Sequence, residues 1–550
     1  MWRRLILHPI LIAAFPVLFL FDRNIREYPI DVIYAPLAVV IASAAVMWAL
    51  LRWLMRDWRK SGFIVSLAFL LFFSYGQFVM LLPRAPFAAH GISIRAPSML
   101  LVASLLALAA GVFVVARTRK DLANVTMIAN VVAAGLVFIP CLEIPKFYIQ
   151  NRSGSGYNLT ALNEGAAERP TRRPDKLPNI YYIILDGYSR ADNLKELYGY
   201  DNAPFIDHLK AKGFFVASQA RSNYSHTRLS LASSLNMTYL TELAAAVGPD
   251  HQSTKPLYKM IRESRVRRLL EALGYRFTTF SSGCDATDIA DADEFLLPPE
   301  ERSEFVDGIL SLTPAESDES RSAAHRRRIL YALEKVPELT QPAQPRFVFA
   351  HIVMPHSPFV FGPTGEPADI SRYRGTTTGN LLIRPGGLTR KEAIHAYNDQ
   401  VIFLNSKVKT LVDRLTSESA VPPIIILQGD HGGDAFLNHA DPDDTYMQDR
   451  MCILSAYYLP GATQALYDAI TPVNSFRVVF NQYFGTSLPM LPDRSYFATG
   501  ARPYRFFDVT DRIGSPEDRS VYERLKSQDY FDTPSGTNAS RGAGENAADD

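Results

Sequence analysis

The chain has 550 residues, 47% of them hydrophobic, and its ionisable side chains leave a net charge of +1. A charge this close to zero argues against nucleic acid as a partner, because nucleic acid binds strongly basic surfaces. The three cysteines show no CxxC spacing, which argues against a thiolate metal site. The sequence leaves open whether Cys284 and Cys452 form a disulfide.

Five long apolar segments lie within the first 149 residues. Each has about the ~20 residues with which an α-helix crosses a bilayer. A soluble helix bundle is the alternative, but these segments leave almost no polar face. A cleaved signal peptide is the alternative for the first segment, which contains Pro9 and Pro16 and lacks a small-residue cleavage site. We predict a five-helix transmembrane domain over 1–149, with apolar segments at 6–22, 31–54, 62–83, 98–116 and 123–143.

The basic residues near these segments are concentrated in alternate loops. Cytoplasmic loops carry the excess of lysine and arginine in membrane proteins. The N-terminus is therefore predicted in the cytoplasm, and five crossings would carry the remainder of the chain to the other side. We expect a multi-pass protein of the cell inner membrane whose large domain is periplasmic or extracellular. The basic residues are Arg3, Arg4, Arg52, Arg56, Arg59, Lys60, Arg117, Arg119 and Lys120.

A linker, a large domain and a tail follow in the remaining sequence. Residues 150–178 are rich in Gly, Ser, Asn, Arg and Pro and are predicted to be a linker. Its basic segment could lie against lipid headgroups or remain a solvated tether. Residues 179–515 are long enough for one large domain. Residues 516–550 are predicted to be a C-terminal tail with a disordered end.

Apolar strand patterns alternate with helical patterns in the large domain. This alternation is typical of an α/β fold with a mostly parallel sheet covered by helices. Ligands of such sheets bind beyond the carboxyl ends of the strands. The predicted strands are 179–186, 275–282, 346–356, 422–431 and 452–460, and the predicted helices are 202–213, 266–274 and 391–415.

Two predicted strands end in metal-binding residue types. Asp186 ends the first strand, and Asp430 and His431 end another before the turn Gly432-Gly433. Carboxylate and imidazole donors suit a hard or borderline divalent cation. The alternatives are turn or capping aspartates and a surface histidine. The segments concerned are IILDGYSR (183–190) and LQGDHGGD (427–434).

A third segment, SHTRLSLASS (225–234), supplies hydroxyl groups beside Arg228. A hydroxyl held next to a divalent cation can ionise and act as a nucleophile. We choose Thr227, although composition alone does not select it, and a helix-capping role can coexist with a catalytic one. Arg228 could contact a phosphate or sulfate oxygen, with a plain surface arginine as the alternative. The candidate hydroxyls are Ser225, Thr227, Ser230, Ser233 and Ser234.

Three histidines complete the candidate site. His351 and His356 lie on and just after a predicted strand, and His439 follows the glycine turn closely enough to fold back. Each is a candidate for substrate binding. A buried, hydrogen-bonded histidine is the alternative for His351, and a loop histidine without a role is the alternative for His439.

The segments together resemble the alkaline phosphatase superfamily in its sulfatase-like branch. Five membrane helices before such a domain resemble the lipid A phosphoethanolamine transferases and the lipoteichoic acid synthases. The resemblance implies one zinc or manganese ion held by four residues, with Thr227 as the nucleophile. It also implies that His351 and His356 bind substrate and that His439 corresponds to a further histidine of that group. The implied metal ligands are Asp186, Thr227, Asp430 and His431.

Departures from the family pattern narrow this expectation. Thr227 is not followed by CxPSR, so a formylglycine sulfatase is not expected. The segment 283–293 contains acidic residues but no histidine, so one tightly held metal ion is expected. Asp186 stands where the transferases usually have glutamate, and the pair Asp186-Gly187 is closer to phosphodiesterases.

The sequence thus favours a metal-dependent membrane transferase. It would move phosphoethanolamine or phosphoglycerol from a membrane phospholipid to an envelope glycan or lipid through a phospho-threonine intermediate. A membrane-anchored hydrolase of phosphate or sulfate esters is the second interpretation. A membrane protein that only binds anions is the third.

Overall fold

The computed structural model describes residues 5–25, 28, 30–81, 87–89, 92–94, 96–150, 170–299, 304–315, 318–340, 344–369 and 388–527. Most of the predicted linker, residues 151–169, lies outside the described residues. So does the end of the predicted tail, residues 528–550.

Five apolar helices form the N-terminal part of the chain. Four of the helices in its described part, α2 to α5, are long and apolar enough to cross a membrane. The prediction of five spanning helices is therefore wrong by one. The helices are α1 (His8–Arg23), α2 (Tyr34–Met55), α3 (Trp58–Leu81), α4 (Ala96–Arg117) and α5 (Ala123–Gln150), with a 3₁₀ turn at Ile30–Ile33 and a short hairpin of Phe87–Ala89 and Ile92–Ile94.

The length of α1 explains the difference. Its 16 residues rise about 24 Å, whereas the hydrocarbon core of a bilayer is about 30 Å thick. The start of α1 is fixed by Asn130 on α5, whose side-chain oxygen accepts hydrogen bonds of 2.9 Å from the backbone N–H groups of Leu7 and His8. Helix α1 packs against α2, α3 and α5, and Ala13, Val17 and Phe21 are fully buried.

A seven-stranded mixed sheet forms the centre of the large domain. Its spatial order is β2-β7-β6-β1-β5-β3-β4. The five strands from β6 to β4 run parallel, while β7 is antiparallel to β6 and to β2. The strands are β1 (Ile180–Leu185), β2 (Phe215–Val216), β3 (Arg276–Phe280), β4 (Glu294–Leu296), β5 (Arg346–Ile352), β6 (Ile424–Gln428) and β7 (Ser455–Tyr458). A separate antiparallel pair is formed by β8 (Tyr496–Thr499) and β9 (Arg502–Asp508).

Helices cover both faces of this sheet, so the α/β prediction is confirmed. Alternate residues of β1 face opposite cores: Tyr182 and Ile184 lie in one, Tyr181 and Ile183 in the other. Burial of both faces is why the strands read as continuous apolar segments. The helices are α6 (Ala191–Glu196), α7 (Ala203–Ala211), α8 (Thr227–Asn236), α9 (Thr241–Val247), α10 (Lys255–Arg262), α11 (Arg265–Ala272), α12 (Glu304–Leu310), α13 (Asp318–Lys335), α14 (Arg390–Glu418), α15 (Met447–Met451), α16 (Pro472–Phe484) and α17 (Pro516–Ser527), with 3₁₀ turns at Val336–Leu339, Pro442–Asp444 and Thr463–Ala465.

The basic end of the predicted linker contacts the large domain. The backbone N–H groups of Thr171 and Arg172 both donate to the carbonyl of Phe484, the last residue of α16. The free carbonyl groups at a helix C-terminus attract donors and positive charge. This end of the segment is therefore attached to the protein, which the sequence did not indicate.

Residues 304–315, called the docking segment here, join the large domain to the apolar helices. Phe305 is 1% exposed, and its ring meets those of Phe21 and Tyr28 edge-on at centroid distances of 6.3 and 5.3 Å. The backbone N–H of Gly76 on α3 donates to the carbonyl of Leu312 at 3.0 Å. A side chain on Gly76 would not fit, because a Cβ atom there would lie 2.8 Å from the Cα atom of Leu312.

Candidate metal centre and active site

The parallel strands deliver two aspartates to one edge of the sheet. Strand β1 ends at Leu185, so Asp186 is the first residue beyond it, and Asp430 follows the end of β6 two residues later. The side chains of both are almost completely buried. The backbone N–H of Gly187 donates to Asp430 Oδ1 at 3.0 Å, which joins the two strand ends. Gly187 has φ +71°, a conformation that favours glycine.

The glycine turn after β6 sets the direction of His431. A Cβ atom on Gly432 would lie 2.8 Å from the carbonyl oxygen of Cys452, so the turn packs directly against a neighbouring backbone. His431 Nδ1 lies 2.9 Å from the carbonyl oxygen of Gly432. Since a carbonyl oxygen only accepts, Nδ1 carries the proton and Nε2 presents its lone pair.

Thr227 is the first residue of α8, and its hydroxyl faces this lone pair. Thr227 Oγ1 lies 3.3 Å from His431 Nε2. His226 before it is extended, with φ −132° and ψ 142°, so the helix starts sharply at the threonine. The free N–H groups and positive dipole end of the ten-residue helix therefore surround the hydroxyl and favour an anionic ligand.

Four donor atoms converge between these elements. His431 Nε2 lies 3.4 Å from Asp186 Oδ1 and 3.4 Å from Asp430 Oδ2. Both carboxylate oxygens are buried, and neither has a hydrogen-bond partner among the described residues. Unpaired buried carboxylate oxygens are costly unless a cation binds them. The three atoms and Thr227 Oγ1 therefore fit a single divalent cation in donor type, and the other three atoms each lie within 3.4 Å of His431 Nε2.

The charges around the centre support the ionised forms of the acids. Burial alone would raise the pKa of Asp186, but the neighbouring His356 and the hydrogen bond from His351 outweigh it and hold that pKa well below its usual range. Burial lowers the pKa of His431, and the Arg450 guanidinium lowers it further. Asp186 is thus anionic and His431 neutral at neutral pH, as metal ligands must be.

His351 lies behind Asp186 and is 2% exposed. Its Nε2 is 3.1 Å from Asp186 Oδ2, and its Nδ1 is 2.8 Å from Thr287 Oγ1. Burial lowers the pKa of His351, but the hydrogen bond and charge of Asp186 more than compensate and the pKa is raised. Both ring nitrogens therefore have protein partners, which leaves neither facing a substrate. One group of described residues whose donor atoms all lie within 4.8 Å of one another consists of Asp186, His351 and Asp430, and it does not include His431.

His356 lies on the open side of the centre. Its side chain is 16% exposed, and its Nε2 lies 3.6 Å from Asp434 Oδ2. Its Nδ1 lies 2.6 Å from the carbonyl oxygen of Ser357, which fixes the ring. Together with Asp186 and His431 it forms another group whose donor atoms lie within 4.8 Å of one another, so it could bind the cation as well as a substrate.

The remaining two predicted residues lie further out. The ring of His439 stacks on that of His226, next to Thr227, with centroids 5.6 Å apart. Burial, followed by the charge of Arg450, lowers the pKa of His439 to about 4. The guanidinium of Arg228 lies over the ring of Tyr258, 5.6 Å from its centroid. The structure does not group either residue with the candidate cation ligands.

Three residues of the site were not predicted. Asp434 forms ion pairs with Arg450 and His356, and Arg450 also donates to the carbonyl of Ser225 at 2.7 Å. Asp434 belongs to the segment LQGDHGGD, so its spacing could have indicated it. Arg450 and Thr287 carry no local signal, because only the fold brings them to the centre.

A family model matches most of the large domain. Residues 178–451 match the family model described as Sulfatase. No curated protein sequence matches the chain.

Solved structures resemble the chain only distantly. The C-terminal periplasmic domain of EcEptC from Escherichia coli, in complex with Zn, is 13% identical with a TM-score of 0.40 and covers 61% of this chain and 93% of its own. The integral membrane protein lipooligosaccharide phosphoethanolamine transferase A (EptA) from Neisseria meningitidis is 13% identical with a TM-score of 0.37 and covers 86% of this chain and 95% of its own. Because the sequence identities and TM-scores are this low, the similarity to the sulfatase family is supported by the family model only.

Proposed function

We propose, on the premise that residues 178–451 form a domain of the sulfatase family, that the protein is a metal-dependent membrane transferase. It would move a phospholipid headgroup, phosphoethanolamine or phosphoglycerol, to an envelope glycan or lipid. One observation carries the proposal. Two buried carboxylate oxygens, of Asp186 and Asp430, have no hydrogen-bond partner in the part of the chain that the structure describes, and they face an imidazole lone pair beside the hydroxyl of Thr227.

Asp186, Thr227, Asp430 and His431 would hold the cation. Zinc or manganese suits this mixture of carboxylate, imidazole and hydroxyl donors. When bound, such a cation lowers the pKa of an adjacent hydroxyl and neutralises phosphoryl oxygens.

Thr227 would be the nucleophile. Its Oγ1 forms a bond to the headgroup phosphorus while the bond from phosphorus to the diacylglycerol oxygen breaks, and the hydroxyl proton leaves to water. The N–H groups at the start of α8 would bind the phosphoryl oxygens. Phosphoryl transfer needs mainly positioning and charge stabilisation, so a centre of few residues is sufficient.

His356 would protonate the departing diacylglycerol oxygen. It stands on the open side of the centre, and burial, which lowers its pKa, is outweighed by Asp186 and Asp434, which raise it. A protonated imidazole at this position can act as a general acid. His439 and Arg228 would contact the substrate from further out. We propose for His351 a positioning role instead of the substrate contact expected from the sequence.

A hydroxyl of the acceptor would complete the reaction. Its oxygen attacks the phosphorus of the phospho-threonine, the bond from phosphorus to Thr227 Oγ1 breaks, and the acceptor's proton passes to water as Thr227 takes one up. Membrane attachment keeps the site within reach of a donor that stays in the bilayer.

The proposed location is the outer side of an inner membrane. The predicted orientation in the membrane does not depend on α1. The basic loops α2–α3 and α4–α5 are separated by two crossings, so both lie on the same side of the membrane. The positive-inside tendency puts these loops in the cytoplasm and the end of α5 outside. The docking segment shares a hydrophobic cluster with Phe21, Ile33, Phe73 and Ile144, which lie towards the outer ends of their helices in this orientation.

A second candidate is a membrane-anchored hydrolase of phosphate or sulfate esters. The family model itself, described as Sulfatase, favours it. The same residues would serve, with water as the final acceptor.

Intact-protein mass spectrometry after incubation with vesicles of phosphatidylethanolamine or phosphatidylglycerol tests the proposal. We expect a headgroup adduct on Thr227 in the wild type and none in Thr227→Ala, while zinc content stays similar. Acceptor glycans or lipids added afterwards should become labelled if the protein is a transferase. Release of free headgroup only would support the hydrolase, and an adduct that persists in Thr227→Ala would rule out Thr227 as nucleophile.

A further inference from the structure

A loop with no assigned role holds His351 from behind. The loop comprises residues 281–288, directly after β3. Thr287 is 1% exposed, and its Oγ1 lies 2.8 Å from His351 Nδ1, while His351 Nε2 lies 3.1 Å from Asp186 Oδ2. His351 therefore connects this loop to the carboxylate whose other oxygen, Oδ1, faces His431 and has no hydrogen-bond partner within the described ranges.

Hydrogen bonds within the loop hold the Thr287 hydroxyl in place. Asp288 Oδ1 accepts from both the N–H and the hydroxyl of Ser282, at 2.7 and 2.8 Å. Thr287 Oγ1 lies 2.9 Å from Ser282 Oγ and 3.2 Å from the carbonyl oxygen of Cys284. Its hydroxyl, which can both donate and accept, is thereby placed for a hydrogen bond with His351 Nδ1. The ring of His351 is held in one orientation.

The loop is in turn held by an ion pair that reaches the docking segment. Arg328 on α13 lies against Gly283, where a Cβ atom would come within 2.6 Å of its Nη1. Arg328 Nη2 pairs with Asp307 Oδ2 at 3.1 Å, and both side chains are largely buried. Asp307 belongs to α12, two residues from Phe305, which packs against the apolar helices.

We propose that Thr287 is a positioning residue for the cation centre and that Asp307 and Arg328 tie this position to the apolar helices. The contacts run from Asp307 through Arg328, the 281–288 loop and His351 to Asp186. They hold Asp186 Oδ2, and Asp186 Oδ1 then lies 3.4 Å from His431 Nε2. The inference rests on the proposed function, because it assigns a task to residues behind the cation centre.

The four proposed ligand atoms can bind one cation only if Asp186 Oδ1 is held in the correct position. Partners of metal ligands typically alter affinity or activity 10–100-fold when they are removed. A purely structural role for Thr287 would instead predict reduced stability with unchanged metal affinity in the protein that remains folded. Metal affinity therefore separates the two roles.

The experiment is a zinc titration of the full chain in detergent, against a competing chelator. Thr287→Val should weaken zinc binding about 10–100-fold, and Thr287→Ser, which restores a hydroxyl, should return it close to the wild-type value. Thr278→Val is the matched control, because Thr278 is also fully buried and bonds Glu294 and Arg346 instead of His351. Unchanged zinc affinity in folded Thr287→Val would overturn the inference. Failure of the wild type to bind zinc would overturn the proposed function with it.

A double-mutant cycle tests the link to the docking segment. Asp307→Asn should also weaken zinc binding, and it should do so less in the Thr287→Val background than in the wild type, because both residues act through His351. Independent effects, in which the two fold-changes multiply, would overturn the connection between Asp307 and the centre. If Thr287→Val does not fold, Thr287→Ala takes its place in both experiments, and unchanged zinc affinity in folded Thr287→Ala and in Asp307→Asn contradicts the inference.

Discussion

The glycine turn after β6 should not tolerate a methyl group at Gly433. A Cβ atom there would lie 2.8 Å from Asp449 Oδ1 and 2.8 Å from Tyr198 Cζ, and closer still to the Tyr198 hydroxyl. Ordinary contact begins near 3.4 Å, so the turn or its neighbours must move by more than about 0.6 Å. Tyr198 cannot yield easily, because it is buried and its hydroxyl donates to Asp449 at 2.8 Å.

The turn carries His431 and Asp434, so its displacement should reach the cation centre. Forced overpacking typically costs about 1–3 kcal/mol, and an error of about 1 Å at a reacting centre costs about 100-fold in rate. We expect Gly433→Ala to weaken zinc binding about 10–100-fold and to lower the rate of headgroup transfer about 100-fold.

Zinc titration and adduct formation on Thr227 measure these effects. Gly500→Ala is the matched control, because a Cβ atom at Gly500 meets nothing within 4 Å. Tyr198→Phe combined with Gly433→Ala should recover part of the loss, since it removes the closest atom. Wild-type zinc affinity and activity in Gly433→Ala would refute the reasoning.

Three further predictions follow from buried groups. Burial raises the pKa of Asp449 to about 7, so the folded chain holds a proton that the unfolded chain releases near pH 4. Stability should therefore fall as the pH rises from about 4 to about 7, and Asp449→Asn should flatten this dependence in thermal unfolding; an identical slope in the variant would contradict it. Phe305→Ala should lower stability by about 3–5 kcal/mol and expose the docking segment to limited proteolysis, whereas an unchanged cleavage pattern would count against that packing. Burial raises the pKa of Cys452 to about 12, so alkylation followed by mass spectrometry should modify its thiol only after unfolding, and modification of the folded protein would contradict the burial.

The local sequence pattern was sufficient to predict the strands next to the candidate cation centre. The strands β1, β5 and β6 are buried on both faces, so their sequences are continuously apolar and easily recognised. The helices between them indicate that they run parallel. The carboxyl ends of such strands meet at one edge, so Asp186, Asp430 and His431 could be expected together.

Other features depend on contacts that no local pattern records. The strand β7 runs antiparallel to β6, although its apolar sequence resembles that of a parallel strand. Helix α1 is apolar enough to suggest a crossing, but its start is set by Asn130 on a distant helix. Thr287 and Arg450 reach the centre only through the fold.

The surroundings of two predicted site residues, His351 and Arg228, depend on residues that are distant in the sequence. His351 has the position along β5 that the sequence suggested, but its burial and its contact with Thr287 depend on the loop after β3. Arg228 follows Thr227 directly, yet its guanidinium turns towards Tyr258 on α10. Adjacent positions on a helix point in different directions, which a motif alone does not reveal.

The most direct test of the account is diffraction from crystals grown with zinc, recorded at the zinc absorption edge. We expect one strong anomalous peak bounded by Asp186 Oδ1, Thr227 Oγ1, Asp430 Oδ2 and His431 Nε2. Zinc bound elsewhere in the chain, or no peak between these four atoms, would contradict it.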